Sequence, residues 1–245
     1  MTIRKLDATT STNTDLKAAW AKNDLNHPTV LWADYQSNGR GQYQRHWESK
    51  AGENLTFSVF WPHKQNSVPY LFHINQLTCV ALTEALNHLG LPSVSIKWPN
   101  DILSGTLKLA GVLIENIFMG KQLKASIIGI GLNVNQTDFY HLPKATSIAL
   151  VLGKKVVREK LLHQFLRVLE CHLKTLGMPI FEKHFNTYQT ELYGRGQWMA
   201  FSDQGVEKKG KVLGVTTQGG IKIQWESGSI TVIEDSKYLE WLPNS

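Results

Sequence analysis

The sequence predicts an α+β protein, with a large domain of mixed helices and strands over residues 1–193 and a small antiparallel β-barrel over residues 194–245. Three observations predict it. The chain has 245 residues, 42% hydrophobic and 19% charged, which is an ordinary globular composition with room for one large unit and one small one. Helical and strand-like runs intermingle as far as Leu192, with no internal repeat and no low-complexity tract. From Tyr193 the texture changes to the short β-prone runs 198–201, 210–215, 220–225 and 229–233, punctuated by Gly205, Gly214, Gly219 and Gly228 at the spacing of a small barrel.

In chain order, Thr9 to Asn13 is a run of good N-cap residues, and Leu16, Ala19 and Trp20 recur behind it at helical spacing until Pro28 closes the unit. Thr29 to Tyr35 is short, apolar and β-prone, which predicts a buried strand. It empties into Gln36 to Gly52, a polar loop carrying three glycines and two arginines without a period. Leu55, Phe57, Val59 and Trp61 alternate with Thr56, Ser58 and Phe60, a two-residue period that ends at Pro62. Tyr70 to Leu89 reads as a helix, because Leu71, Ile74, Leu77, Ala81, Leu82, Ala85 and Leu86 share one broad face. Strands are expected at Val94–Trp98, Lys108–Phe118 and Gln122–Val134, an irregular or briefly helical stretch at Tyr140–Leu152, and helices at Arg158–Leu176 and Phe181–Leu192.

Twenty-six basic against 20 acidic residues leave a formal charge of +6, which suits nucleotides, nucleic acid or an acidic protein surface without choosing among them. The two cysteines, Cys79 and Cys171, lie among apolar residues and read as buried thiols of a reduced compartment, in no CxxC or metal-ligand spacing. Apolar runs such as Ile127 to Val134 are too short to cross a bilayer, and Met1 to Arg4 lacks the apolar stretch of a signal peptide, so a cytoplasmic protein without membrane contact is expected.

Four segments could carry chemistry. No GxxxxGK[ST] occurs, and neither Gly39-Arg-Gly41 nor Gly129-Ile-Gly131 continues into GxGxxG, so the P-loop and dinucleotide-fold readings lose their main support. In Gln36–Arg45, Gly39 and Gly41 let the backbone approach an anion and Arg40 and Arg45 supply guanidinium charge; the same content also occurs in idle surface loops. Lys97-Trp-Pro-Asn-Asp101 gathers groups able to position a phosphate or a metal, or else forms a tight turn with Asn100 and Asp101 bonding their own backbone. Lys108 opens an apolar strand, either as a solvated end or as a charge turned inward toward developing negative charge. In Gly129-Ile-Gly-Leu-Asn133 the glycines signal a bulge or a close approach of backbone, with Asn133 projecting beyond them.

In order and spacing these segments resemble the biotin protein ligases. The likeness is carried by Ser11-Thr-Asn13, the Q-x-x-G-R-G of Gln36 to Gly41, Trp47-Glu48-Ser49, Lys97 to Asp101, the K-L-A-G-V-L-I-E from Lys108, the G-I-G-L-N-V-N from Gly129, and Thr146-Ser147-Ile148; it covers residues 6–152. It implies a mixed β-sheet with helices on one side, of the class II synthetase-like biotin/lipoate ligase kind, over residues 1–193, and an SH3-like barrel over residues 194–245. The implied reaction joins biotin and ATP, with Mg²⁺, into biotinyl-5′-AMP and then passes the biotinyl group to a lysine of a biotin carboxyl carrier protein domain.

The resemblance also implies roles for individual residues. Ser11, Thr12, Asn13 and Gln36 would hold the ureido ring of biotin, with Gly39, Arg40, Gly41, Gly111, Gly129 and Gly131 lining the pocket and Trp47 covering it. Lys108, Arg40 and Lys97 would be catalytic, Lys108 bridging the biotin carboxylate and the α-phosphate. Arg40, Gln42, Arg45, Lys97 and Asn133 would face ATP, and Asp101 would be a ligand of Mg²⁺. Many members read G-R-G-R where this chain reads Gly39-Arg40-Gly41-Gln42, so one charge beside the intermediate is missing. Some members carry a winged helix-turn-helix ahead of the catalytic part; with Ser11 ten residues from the start no such segment fits, and DNA is not an expected partner. Homodimers are possible. Two competing readings are a lipoate or octanoate ligase of the same superfamily and, in another class, a basic single-strand-binding protein using Trp198, Trp225, Tyr238 and Trp241. The same four aromatics serve equally as a barrel core.

Overall fold

The structure, a computed structural model, describes residues 1–63 and 71–242. Its first unit is a seven-stranded sheet built from β1 (Thr2–Thr9), β2 (Thr29–Gln36), β3 (Leu55–Pro62), β4 (Val94–Lys97), β5 (Asp101–Ser104), β6 (Leu107–Met119) and β7 (Gln122–Leu132). The order is β1-β2-β3-β7-β6-β5-β4, with β1 and β2 parallel and every other pair antiparallel. Strand β1 was not expected: its apolar residues, Ile3 and Leu6, follow no two-residue period, because as an edge strand it buries almost nothing.

Both faces of this sheet are covered. Val30, Trp32, Phe57, Val59, Ile128 and Ile130 face α2 (Phe72–His88) and α4 (Arg158–Leu173), with Phe57 edge-on to Phe165 at 5.8 Å. On the opposite face Leu31, Phe60, Ala125 and Ile127 pack on Leu16 and Trp20 of α1 (Thr12–Ala21). The helices of the large unit are therefore not all on one side. The two-residue period of β3 holds, and its second set is buried as well as its first. Helix α2 matches expectation except at its start: Tyr70 lies outside the described residues, and Leu71, expected on the apolar face, precedes the helix as its N-cap and is exposed. The short α3 (Ile148–Leu152) falls in the stretch expected to be irregular or briefly helical, and α5 (Phe181–Thr190) packs on α2. Cys79 is buried on α2, but Cys171 is exposed: it sits on the outward face of α4, where apolar neighbours in sequence are not neighbours in space.

Beyond α5, Ile96 donates to Glu191 O at 2.8 Å and Tyr193 donates to Ile96 O at 2.9 Å, so the connection is stitched to the β4 edge before the second unit begins. That unit is a five-stranded antiparallel sheet of β8 (Trp198–Asp203), β9 (Val206–Val215), β10 (Ile221–Trp225), β11 (Ile230–Ile233) and β12 (Leu239–Trp241), in the order β11-β10-β9-β8-β12. Its interior joins the main core through Met199, Phe201, Val212, Ile223 and Trp225. The expected aromatic core is only partly realised. Trp225 is buried against Phe201 and Trp241 packs on Phe201 and Tyr193, whereas Trp198, at the start of β8, and Tyr238, in the turn that precedes β12, are exposed. No helix among the described residues is long and apolar enough to cross a membrane.

Candidate active site

The sheet is hollow on its α1 face. Where Leu31, Phe60 and Ile127 give way along their strands, that face carries Ser58, Gly111, Gly129 and Gly131, side by side in the β3-β7-β6 register. The missing side chains leave a cavity of about 450 Å³. The glycines are required by what lies against them. A Cβ on Gly129 would meet Asn13 Oδ1 at 2.4 Å, and one on Gly131 would meet the Trp47 ring at 2.2 Å.

One wall is a chain of uncharged polar groups. Helix α1 begins after Ser11, whose side chain makes no capping bond; the Thr12 N–H donates instead to Gln36 Oε1 at 2.7 Å, from the end of β2. Thr12 Oγ1 reaches the same oxygen at 3.0 Å and Ser58 Oγ at 2.6 Å, and Ser58 Oγ donates to Asn13 Oδ1 at 2.5 Å. Asn13 Nδ2 then donates to Glu115 Oε2 at 2.8 Å, and the same carboxylate oxygen accepts from Arg40 at 3.1 Å. Ser11 itself is buried at the cavity wall with its hydroxyl uncommitted to the helix end.

The other wall gathers charge from three segments. The β4–β5 hairpin brings Lys97 and Asp101 together in register, and Lys108 Nζ on β6 lies 2.6 Å from Asp101 Oδ1 and 5.6 Å from the centre of the Trp47 ring. Lys144 comes alongside because its carbonyl accepts the Lys108 N–H at 2.7 Å. Burial pushes the Lys97 ammonium below its ordinary value; Asp101 opposes the shift, and the like charges of Lys144 and Lys108 add to it. Among the described residues, Arg40, Arg45, Lys97, Lys108, Lys144 and Lys237 line the cavity with Asp101 and Glu240, while Glu115 and Asp235 pair with Arg40 and Lys237 from beside it, which leaves cations in excess. Such an excess of cations is stable once anions sit between them.

The cavity thus draws together Ser11, Thr12, Asn13, Gln36, Arg40, Gly41, Gln42, Arg45, Trp47, Lys97, Asp101, Lys108, Gly111, Gly129 and Gly131. Two expected residues stand apart from its lining. Gly39 lies behind the loop, where its carbonyl accepts the Trp47 N–H at 2.9 Å. Asn133 is not in the lining: its Nδ2 donates to Thr146 O at 3.0 Å and ties the end of β7 to the segment before α3. Ser58, Glu115, Lys144 and the second unit's Ser236, Lys237, Glu240 and Trp241 were not anticipated. Ser58 and Glu115 had a legible signal, a polar or charged residue inside a strand otherwise apolar; the second unit's residues had none, since only the packing of the two units brings them near.

Among the described residues no cluster of three or more His, Cys, Asp or Glu could hold a metal by itself. A Mg²⁺ ion bound mainly through phosphate oxygens needs only one or two protein carboxylates, and Asp101, with one oxygen on Lys108, fits that limited part.

Fold and site together define an α+β ligand-binding protein that sets an uncharged polar wall opposite a cluster of cations. Residues 6–133 match the family model described as the Biotin/lipoate A/B protein ligase family. The Bifunctional ligase/repressor BirA of Bacillus subtilis is 29% identical over 215 residues, 85% of this chain and 65% of its own length, so the chain spans a little under two thirds of that relative. The Biotin--[acetyl-CoA-carboxylase] ligase of Mycobacterium tuberculosis is 32% identical over 177 residues, 69% of this chain and 64% of the relative. Among solved structures, the biotin protein ligase from Aquifex aeolicus in complex with biotin and ATP superposes with a TM-score of 0.82 at 27% identity, over 100% of this chain and 99% of that one. The chain belongs to the biotin/lipoate A/B protein ligase family.

Proposed function

We propose that this protein activates biotin with ATP and transfers the biotinyl group to a lysine of a biotin carboxyl carrier protein domain. The observation that carries the reading is the division of a single cavity into an uncharged hydrogen-bonding wall, Gln36–Thr12–Ser58–Asn13, and a cationic wall, Lys97–Lys108–Lys144. A ureido ring has both N–H donors and a carbonyl acceptor, and it is matched by hydroxyls and amides that can do either. A carboxylate and a triphosphate repel each other, and approach only where fixed positive charge replaces their hydration.

In the first step a biotin carboxylate oxygen attacks the α-phosphorus, a C(O)–O–P anhydride forms, the bond to the β-phosphate oxygen breaks and pyrophosphate leaves. Lys108, beside both Asp101 and the Trp47 ring, would balance the charge gathering between the two acids. Lys97, Arg40, Gln42 and Arg45 would hold the phosphates, and Asp101 would hold a Mg²⁺ ion, whose chemistry there would be to supply positive charge to the phosphate oxygens. In the second step the acceptor amine attacks the carbonyl, an amide forms and AMP leaves. Residues 1–193 would perform this chemistry and residues 194–245 would close the nucleotide end, in a cytoplasmic protein with no DNA contact.

Pyrophosphate exchange with biotin and with lipoate tests the assignment. Exchange with biotin alone is the expected result; exchange with lipoate alone overturns it.

A further inference from the structure

One residue of the glycine loop is held in a backbone conformation that its own chemistry disfavours. Tyr43 has φ 53° and ψ 40°, the left-handed region, in the middle of the short turn 42–44. A bulky side chain stays there only when its surroundings hold it. Those surroundings belong to the second unit. The Tyr43 hydroxyl donates to Asp235 Oδ1 and accepts from Ser236 Oγ at 3.2 Å. Asp235 is itself fixed, since Oδ1 also accepts the Lys237 N–H at 3.0 Å and Oδ2 lies 3.0 Å from Lys237 Nζ. Tyr43 is half exposed and belongs to no apolar cluster, so packing does not explain its position.

What the contact does is set by what flanks it. Residues 40–46 form a small closed loop, with Arg40 bridged to His46 and Gly41 donating to Arg45 O at 2.7 Å. Arg45 from this loop and Lys237 from beside Asp235 line the same cavity. The Tyr43 hydroxyl, through its bonds to Asp235 and Ser236, therefore joins two cation-bearing segments that no backbone pairing among the described residues connects.

We propose that Tyr43 is a positioning residue whose bond to Asp235 clasps the 40–46 loop to the second unit, bringing Arg45 and Lys237 onto one phosphate chain and retaining the activated acid. The retention half rests on the biotin-activating function proposed above. The clasp itself does not.

The test uses the full chain with Tyr43→Phe, Asp235→Asn and the double variant. Tyr43→Phe keeps the ring and removes only the hydroxyl, which donates to Asp235 and accepts from Ser236, and Lys237 still satisfies Asp235, so folding is preserved. In the absence of ligands, trypsin cleavage after Arg40 or Arg45 is expected to accelerate about tenfold, the loss of one hydrogen bond to a charged group. With biotin and ATP, the KM for ATP and the rate of release of biotinyl-AMP are expected to rise by about the same factor, while the KM for biotin and the exchange kcat stay within about twofold. The double variant should be no worse than either single one, as for two ends of one bond. Unchanged cleavage in Tyr43→Phe overturns the clasp. Faster cleavage with unchanged release and unchanged KM for ATP overturns its role in retention. If the wild-type protein shows no biotin-dependent exchange, the functional reading fails and the cleavage result still decides the clasp.

Discussion

Lys108 and Asp101 meet at 2.6 Å across the β5–β6 pair, so the lysine that opens an apolar strand is turned into the cavity and held there by a carboxylate from the neighbouring hairpin. Both side chains are partly exposed, and a pair of that kind contributes only about 0–1 kcal/mol to stability. Its consequence lies in where the ammonium is placed. Lys108→Ala is expected to lower the kcat of pyrophosphate exchange by about 10²–10³-fold, with a shift in melting temperature of no more than about 4 °C. Full exchange activity in the variant would remove Lys108 from the chemistry.

Gln42 lines the cavity beside Arg40 and Arg45, an uncharged amide between two guanidinium groups. Gln42→Arg adds a cation next to the mixed anhydride and should slow its release into solution by about tenfold, the effect of one charge-assisted hydrogen bond. Filter-binding or single-turnover release of biotinyl-AMP reads this directly. Unaltered release together with unaltered exchange would mean that position 42 is no gate.

Gly131 and Gly129 are predicted to respond differently to the same methyl group. Gly131→Ala drives a Cβ into the Trp47 ring, so the indole must leave the cavity wall; its fluorescence should shift and the protection of bound nucleotide should fall. Gly129→Ala displaces the Asn13 amide and breaks its bonds to Ser58 and Glu115. That variant should weaken biotin binding by about 10- to 100-fold, measured by calorimetry, while changing the indole emission little. Identical behaviour of the two variants would contradict the separate contacts.

Stability should fall in mild acid. Burial pushes the His63 imidazole from its ordinary 6.5 to about 4, where its Nε2 lies 2.8 Å from Ser126 Oγ. Between pH 6.5 and 4 the unfolded chain therefore binds a proton that the folded chain refuses, so this contribution to stability is whole above pH 6.5 and is lost as pH falls through that window. His73 is lowered to about 4 in the same direction. His63→Gln should flatten the decline in melting temperature between pH 6.5 and 4 by a few degrees, on the order of 1–2 kcal/mol for a ring that is only partly buried. An unchanged slope would show that other groups govern the acid limb.

How much of the fold could be read in advance depended on how each element buries its residues. Helix α2 and strands β6 and β7 were legible because they face the core over many residues, and a long buried face imposes a clear period. Strands β1, β5 and β12 were not. The first is an exposed edge, β5 reads Asp-Ile-Leu-Ser with no two-residue alternation, and β12 has only three residues. Likewise Cys171 read as buried from its sequence neighbours, although the 3.6-residue turn of α4 carries it to the outer face.

The sequence by itself determined the chemical inventory of the site: the Gly-Arg loop, the Lys97–Asp101 string, Lys108 and the two strand glycines are local in the chain, and their spacing survives without knowledge of the fold. Only the tertiary structure decided what they face. It hollowed one side of the sheet by aligning Ser58, Gly111, Gly129 and Gly131 in register, linked Gln36, Thr12, Asn13 and Glu115 into one hydrogen-bonded wall, and engaged the Asn133 amide with Thr146. It also brought Tyr43 to Asp235 across 192 residues of chain. Register and inter-unit packing arise from burying surfaces far apart in sequence, and no local pattern of residue types encodes which distant surface will be met.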